Sequence, residues 1–185
     1  MAVCGVIVMV AGIFQCVSGV KSLMGSGADK QYRQLLADSD KAIDKANADI
    51  VEVNPIFQAF LNDVDKLGLA AVRAQEKQTA QKASGLLGDA IESFHLAATK
   101  LEEAVQRKKD DKLTPFLEAK IKSYNLFAQS TDLNREIIRL VLDESIPNIE
   151  ALMPKIMEVT KRRDEARTTA EKISADANES VKKLK

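Results

Sequence analysis

Apolar side chains in the body of this chain recur by alternating steps of three and four. From Leu36 the series runs through Ser39, Ile43, Ala46, Ile50, Val53, Phe57, Phe60, Val64 and Leu67. A stripe with that period lies along one face of an α-helix and must be covered by a partner. It predicts a helix over 29–67, kinked near Asn54-Pro55 because Pro55 lacks a backbone donor, with Gly68 as terminator. A second helix is expected over 69–109, with the seam Leu87, Ile91, Phe94, Ala98, Leu101 and Val105. The stretch 73–82 is polar on nearly every side apart from its alanines. Gly85 and Gly88 each weaken a helix by about 1 kcal/mol, so a break in this helix is expected there.

Residues 108–112 read as a turn. Thr114 is expected to cap a third helix, with Pro115 in the first position, where a missing N–H costs little. That helix should run to about Glu144 on the face Leu117, Ile121, Tyr124, Ala128, Ile137 and Val141, with a phase slip near 131–133. Ser145 and Pro147 mark the start of a fourth helix. Its stripe carries Ile149, Met153, Ile156, Val159, Ala166, Ala170, Ile173, Ala177, Val181 and Leu184, with Arg163 on the stripe and Pro154 as a second kink. No strand pattern competes. Four long amphipathic helices with short connections predict an all-α fold, an antiparallel up-down bundle with coiled-coil-like seams. At 185 residues the chain has the length of one domain with a real core.

Charge divides the chain. It has 27 basic and 27 acidic side chains, and in 1–28 the only one is Lys21. Residues 2–20, AVCGVIVMVAGIFQCVSGV, are uncharged. As a helix this run spans roughly 28 Å, the hydrocarbon thickness of a bilayer. The expected organisation is therefore an apolar N-terminal helix at 1–21 (a transmembrane anchor or a signal peptide), a flexible linker at 22–28 around Gly25-Ser26-Gly27, and a helical bundle at 29–185. The absence of a basic residue before the run favours a retained anchor. Small residues at Gly19 or Gly27 keep signal cleavage open, and a buried soluble helix is a third reading. Lys21, Lys30 and Arg33 follow the run, which favours a cytoplasmic body by the positive-inside tendency. Cleavage would instead give a secreted or periplasmic protein.

Within the leader, Gly5, Gly12 and Gly19, with Cys16, form a stripe of small residues along which a second membrane helix could pack. Cys4 and Cys16 are the only cysteines. On one helix they stand roughly 18 Å apart and cannot pair. The body therefore has neither an internal disulfide nor a thiolate metal site.

Catalytic groups are scarce. Glu92-Ser93-Phe94-His95 is an E-x-x-H on a helix, but carboxylate-bridged di-iron bundles need that motif twice, and His95 is the only histidine. Haem attachment by C-x-x-C-H, a nucleophile elbow, a P-loop and a dinucleotide fingerprint are all missing. The basic runs 107–109 and 161–163 are each followed at once by acids, and few aromatics accompany them, which argues against nucleic acid. No enzyme activity, cofactor or metal is expected.

In an up-down bundle the leader end gathers Lys30, Lys182, Lys183 and Lys185, together with Lys21, where anionic head groups would attract them. The opposite tip is densely apolar. Phe57, Phe60, Leu61, Val64, Ile138, Leu142, Met153 and Met157 mark a candidate site there for a partner helix or an apolar ligand. The expected function is a non-enzymatic, membrane-associated bundle acting through helix–helix contact with a protein partner or a second copy. Two alternatives are an exported bundle that binds a small apolar ligand and a membrane-active helical protein that inserts its apolar segments.

Overall fold

A computed structural model describes residues 29–108 and 112–183. The apolar leader, with Gly5, Gly12, Cys16 and Gly19, lies outside the described residues, as do Lys21 and Lys185. The chain is an all-α helical bundle, with five helices and no strand among the described residues. They are α1 Lys30–Leu67, α2 Leu69–Gln75, α3 Lys77–Arg107, α4 Thr114–Leu142 and α5 Ile149–Lys182.

The first helix has the expected bounds. Asp29 caps it, accepting the Gln31 N–H at 3.0 Å. It continues through Pro55 and stops where Gly68 adopts φ +82°, a backbone that side chains with a Cβ rarely tolerate. The Gly68 N–H closes the end on the Val64 carbonyl at 3.1 Å.

The second expected helix is two. The break falls at Glu76, between α2 and α3, and not at Gly85 or Gly88, which both lie inside α3. Neither glycine is demanded by packing: a Cβ at Gly85 would meet open space, and one at Gly88 would make only ordinary contact, about 3.8 Å, with the Arg135 guanidinium. The bend at Glu76 lets α2 lie across the bundle end, where Leu69 and Val72 are buried.

Two helix starts also differ from expectation. Thr114 does not cap α4. Its hydroxyl donates to the Lys108 carbonyl at 3.2 Å and ties the turn, while Leu113 occupies the cap position. The last helix begins at Ile149 and not near Ser145. Asn148 is its cap, accepting the Ala151 N–H at 2.9 Å, and Ser145 instead bonds Asp143 in the preceding turn.

Consecutive long helices pack as pairs: α1 on α3, α3 on α4, α4 on α5. Cross-helix contacts fix their sense. Asp29 meets Arg107, the Ser39 hydroxyl donates to the Ala97 carbonyl, Lys45 reaches Ser93, and Glu52 pairs with Lys82. Numbers rise on α1 as they fall on α3, so the two run in opposite directions. The same holds for Ser84–Arg135 and His95–Asn125 between α3 and α4, and for Ser123–Ala170 and Asn134–Arg163 between α4 and α5.

The apolar interior falls into two clusters. One, at the tip, includes Phe57, Phe60, Leu87, Ile137 and Ile156. The other, at the opposite end, includes Tyr32, Ile43, Phe94, Leu101 and Tyr124. Buried polar side chains lie between them: Ser93, Ser130, Thr131, Asn134, Thr160 and Arg163. The phase slip expected near 131–133 falls in this belt, where four residues of 130–134 are buried.

Replacing the observed cap, Asn148→Ala, should cost about 1 kcal/mol and lower the urea midpoint, with the slope unchanged. An unchanged midpoint would show that α5 does not start there.

Candidate functional site

The tip residues divide by depth. Phe57, Phe60, Leu61, Val64 and Ile138 belong to the core of the tip cluster. Leu142 and Met153 pack against it, partly buried. Met157 is 53% exposed and stands outside it. The tip core is roofed by Leu69 and Val72 of α2 and by Ile146 of the α4–α5 turn.

Arg73 holds that roof in place. Its guanidinium donates to three carbonyls, one at the end of α4 and two in the α4–α5 connection. Nε reaches Val141 at 2.8 Å, Nη1 reaches Ile146 at 2.9 Å, and Nη2 bonds Asp143. The Val141 carbonyl is one of those a helix end leaves without an intrahelical donor. A planar guanidinium with five donors suits such a fan of acceptors. Asp143 supports the same turn, accepting the Ser145 hydroxyl at 2.7 Å and the Ser145 N–H at 2.9 Å. Those two bonds, with Arg73 nearby, hold its carboxyl below the usual value of 3.8.

The polar belt contains a buried cation. Arg163, 3% exposed, bonds Asp164 through Nε and Nη2 and approaches Asn134 Oδ1 at 3.4 Å. A second buried cation, Lys120, lies in the other half, donating to Ser174 Oγ at 2.7 Å and packing over the Phe116 ring. Two further buried atoms, Asn54 Oδ1 and Thr160 Oγ1, have no hydrogen-bond partner. Each such atom costs a folded chain roughly 1–3 kcal/mol.

At the leader end, the Asp29 carboxylate caps α1 and pairs with Arg107, which holds it below its usual value, the Gln31 N–H adding to the effect. Beside it lies an open groove of about 530 Å³ between α1 and α3, lined by Gln31, Leu35, Glu102, Glu103 and Arg107 among others. Lys30, Lys182 and Lys183 are exposed, and Lys182 pairs with Glu179.

Glu92 and His95 lie on the outer side of α3, and His95 Nδ1 stands 3.3 Å from Asn125 Oδ1. No group of three or more metal-ligating side chains occurs among the described residues. Nor is any described helix long and apolar enough to cross a membrane. Comparison with protein-family models, curated proteins and solved structures finds no match to this chain.

Arg73, Asn54 and Thr160 do not stand out in the sequence. The signal for the last two is periodic: Asp40, Asn47 and Asn54 recur every seven residues beside the α1 stripe, as do Thr160, Arg167 and Ser174 beside that of α5. Arg73 has no such signal, since its acceptors are backbone carbonyls about seventy residues away.

Two outcomes follow from this geometry. Phe57→Ala should cost about 3–5 kcal/mol by cavity formation, whereas Met157→Ala should stay within about 0.5 kcal/mol. Comparable losses in chemical denaturation would contradict the difference in depth between the two side chains. The depressed carboxyls of Asp29 and Asp143 contribute stability that is present above the ordinary value of 3.8 and lost as pH falls through their lower folded values. A melting temperature that falls between about pH 5 and 3, less so in Asp143→Asn, is the expected result.

Proposed function

We propose that this chain is a non-enzymatic, membrane-associated helical bundle that acts through helix–helix contact with a protein partner. The observation that carries the reading is the uncharged run 2–20, of bilayer length, joined to a body whose charges are balanced and interleaved. The described helices hold no span of their own, so membrane attachment in this reading rests on the leader alone. In this arrangement the lysines of the leader end stand beside the head groups. Catalysis has little to work with, since the single histidine lies on the surface with Asn125 as neighbour.

The reading includes a finer architecture, in which the four long helices close as an antiparallel up-down bundle and α5 returns beside α1. Helix faces support this. On α1, Lys45 and Glu52 mark the flank that meets α3; Asp40, Asn47, Asn54 and Leu61 lie on the other flank of the stripe. On α5, Arg162 marks the flank that meets α4; Met153, Thr160 and Arg167 lie on the other. Asp40, Leu61 and Thr160 on these far flanks are buried, and a covering helix is needed for each. Each of the two flanks would cover the other.

Cell fractionation with N-terminal sequencing tests the membrane part. An intact Met1 in the membrane fraction, released by detergent and not by salt, is the expected result. A soluble chain beginning near Val20 or Ala28 would overturn it in favour of export. Cross-linking in intact membranes tests the partner part, which fails if only the monomer is recovered.

A further inference from the structure

We propose that the bundle opens like a book along the α1–α5 seam, with the α3–α4 interface as spine and Arg73 as the latch. The inference rests on the closed four-helix arrangement proposed above, and it concerns which of the four seams is built to part.

Three seams are closely packed along their length, α1·α3, α3·α4 and α4·α5, whereas α1 and α5 make no comparable backbone approach. The seam between them is also the polar one. Tracing levels through the cross-helix contacts sets Asn47 near Arg167, Asn54 near Thr160, and Leu61 toward Met153 at the tip. Only the last of these couples is apolar, and it lies at the tip. A seam of this composition gains little from closure by the hydrophobic effect.

Two of its polar atoms resist closure. Asn54 Oδ1 and Thr160 Oγ1 are buried without a hydrogen bond, and opening would give both to water. Pro55, beside Asn54, leaves the Val51 carbonyl without its intrahelical donor at the same level. Val51 and Met157 stand on the outer lips of the seam there, 61% and 53% exposed.

The latch crosses between the two leaves. Arg73 belongs to α2, joined to the α1–α3 leaf, and its three acceptors belong to the α4–α5 leaf: the Val141 carbonyl at the end of α4 and the Asp143 and Ile146 carbonyls of the turn that follows. Parting the leaves at the tip breaks those bonds. It also uncovers Phe57, Phe60 and Ile156, which would give a partner helix an apolar surface that the closed form hides. The open leaves keep every helix intact, so the transition demands no unfolding.

Distance measurement between spin labels on the lips tests this. The full chain is purified in detergent without partner, with Cys4→Ser and Cys16→Ser, and labels are placed at Val51→Cys and Met157→Cys. A dominant short distance with a minor longer one is expected. Arg73→Ala should raise the longer population by about tenfold. Asn54→Leu with Thr160→Val should remove it, since the seam then closes on apolar side chains. One distance distribution, unchanged in all three backgrounds, would overturn the proposal. If Arg73→Ala does not fold, the seam double variant decides alone: loss of the longer distance supports opening, and no change refutes it. The labels report opening without any partner or bilayer, so failure of membrane attachment in fractionation leaves this result readable, and the reverse holds too.

Discussion

Each long helix buries one face along its length, and the rest of the structure follows from how those faces are covered. A single stripe cannot sit between two solvent-facing layers; it must point into a shared interior. On α1 and α3 the seam of threes and fours is widened by buried neighbours such as Leu35 beside Leu36, Phe60 beside Leu61 and Ala97 beside Ala98, and Ala80, Ala83, Ala90, Ala97 and Ala104 let those two helices approach closely. Short connections then force each long helix to reverse against its predecessor. The Ser39 and Ser123 hydroxyls, donating to carbonyls of the facing helices, fit that close approach, because a small side chain can bridge backbones where a larger one would separate them.

The interior that results is not uniform. A belt containing Arg163, Asn134, Thr131 and Thr160 divides two apolar clusters. Buried polar groups of this kind seldom add net stability, because desolvation offsets what the pairing returns. They do penalise a shifted register, since sliding a helix by one heptad would set Arg163 among apolar side chains. The belt and the α2 roof thus act at different levels of the bundle. The belt places polar groups in the middle, while Arg73 ties the tip by binding backbone, whose acceptors are present whatever the neighbouring side chains are.

Much of this is legible in the stepping of Leu36 to Leu67 and of Leu87 to Val105, because local period alone decides which face of a helix is apolar. The bounds of α1, the terminator Gly68 and the burial of Arg163 are readable for that reason. Features set by distant residues are not. The polar stretch 73–82 contains Glu76 without singling it out as the break, and the reach of Arg73 from α2 to the α4–α5 turn depends on residues about seventy positions away. Ser145 and Asn148 are both good capping residues, and only the path of the turn decides that Asn148 caps α5. At the candidate tip the sequence supplies eight apolar residues of one type, while their depths, from Phe57 in the core to Met157 at the surface, depend on α2 and Ile146 packing overhead.

The polar seam and the latch both require α5 to return beside α1. A photoreactive amino acid at the exposed position of Val51, in the full chain, tests this directly by mass-spectrometric mapping of the attachment point. Attachment to the α5 segment 153–164 is the predicted result. Attachment confined to α3, or intramolecular capture that never includes α5, would contradict it.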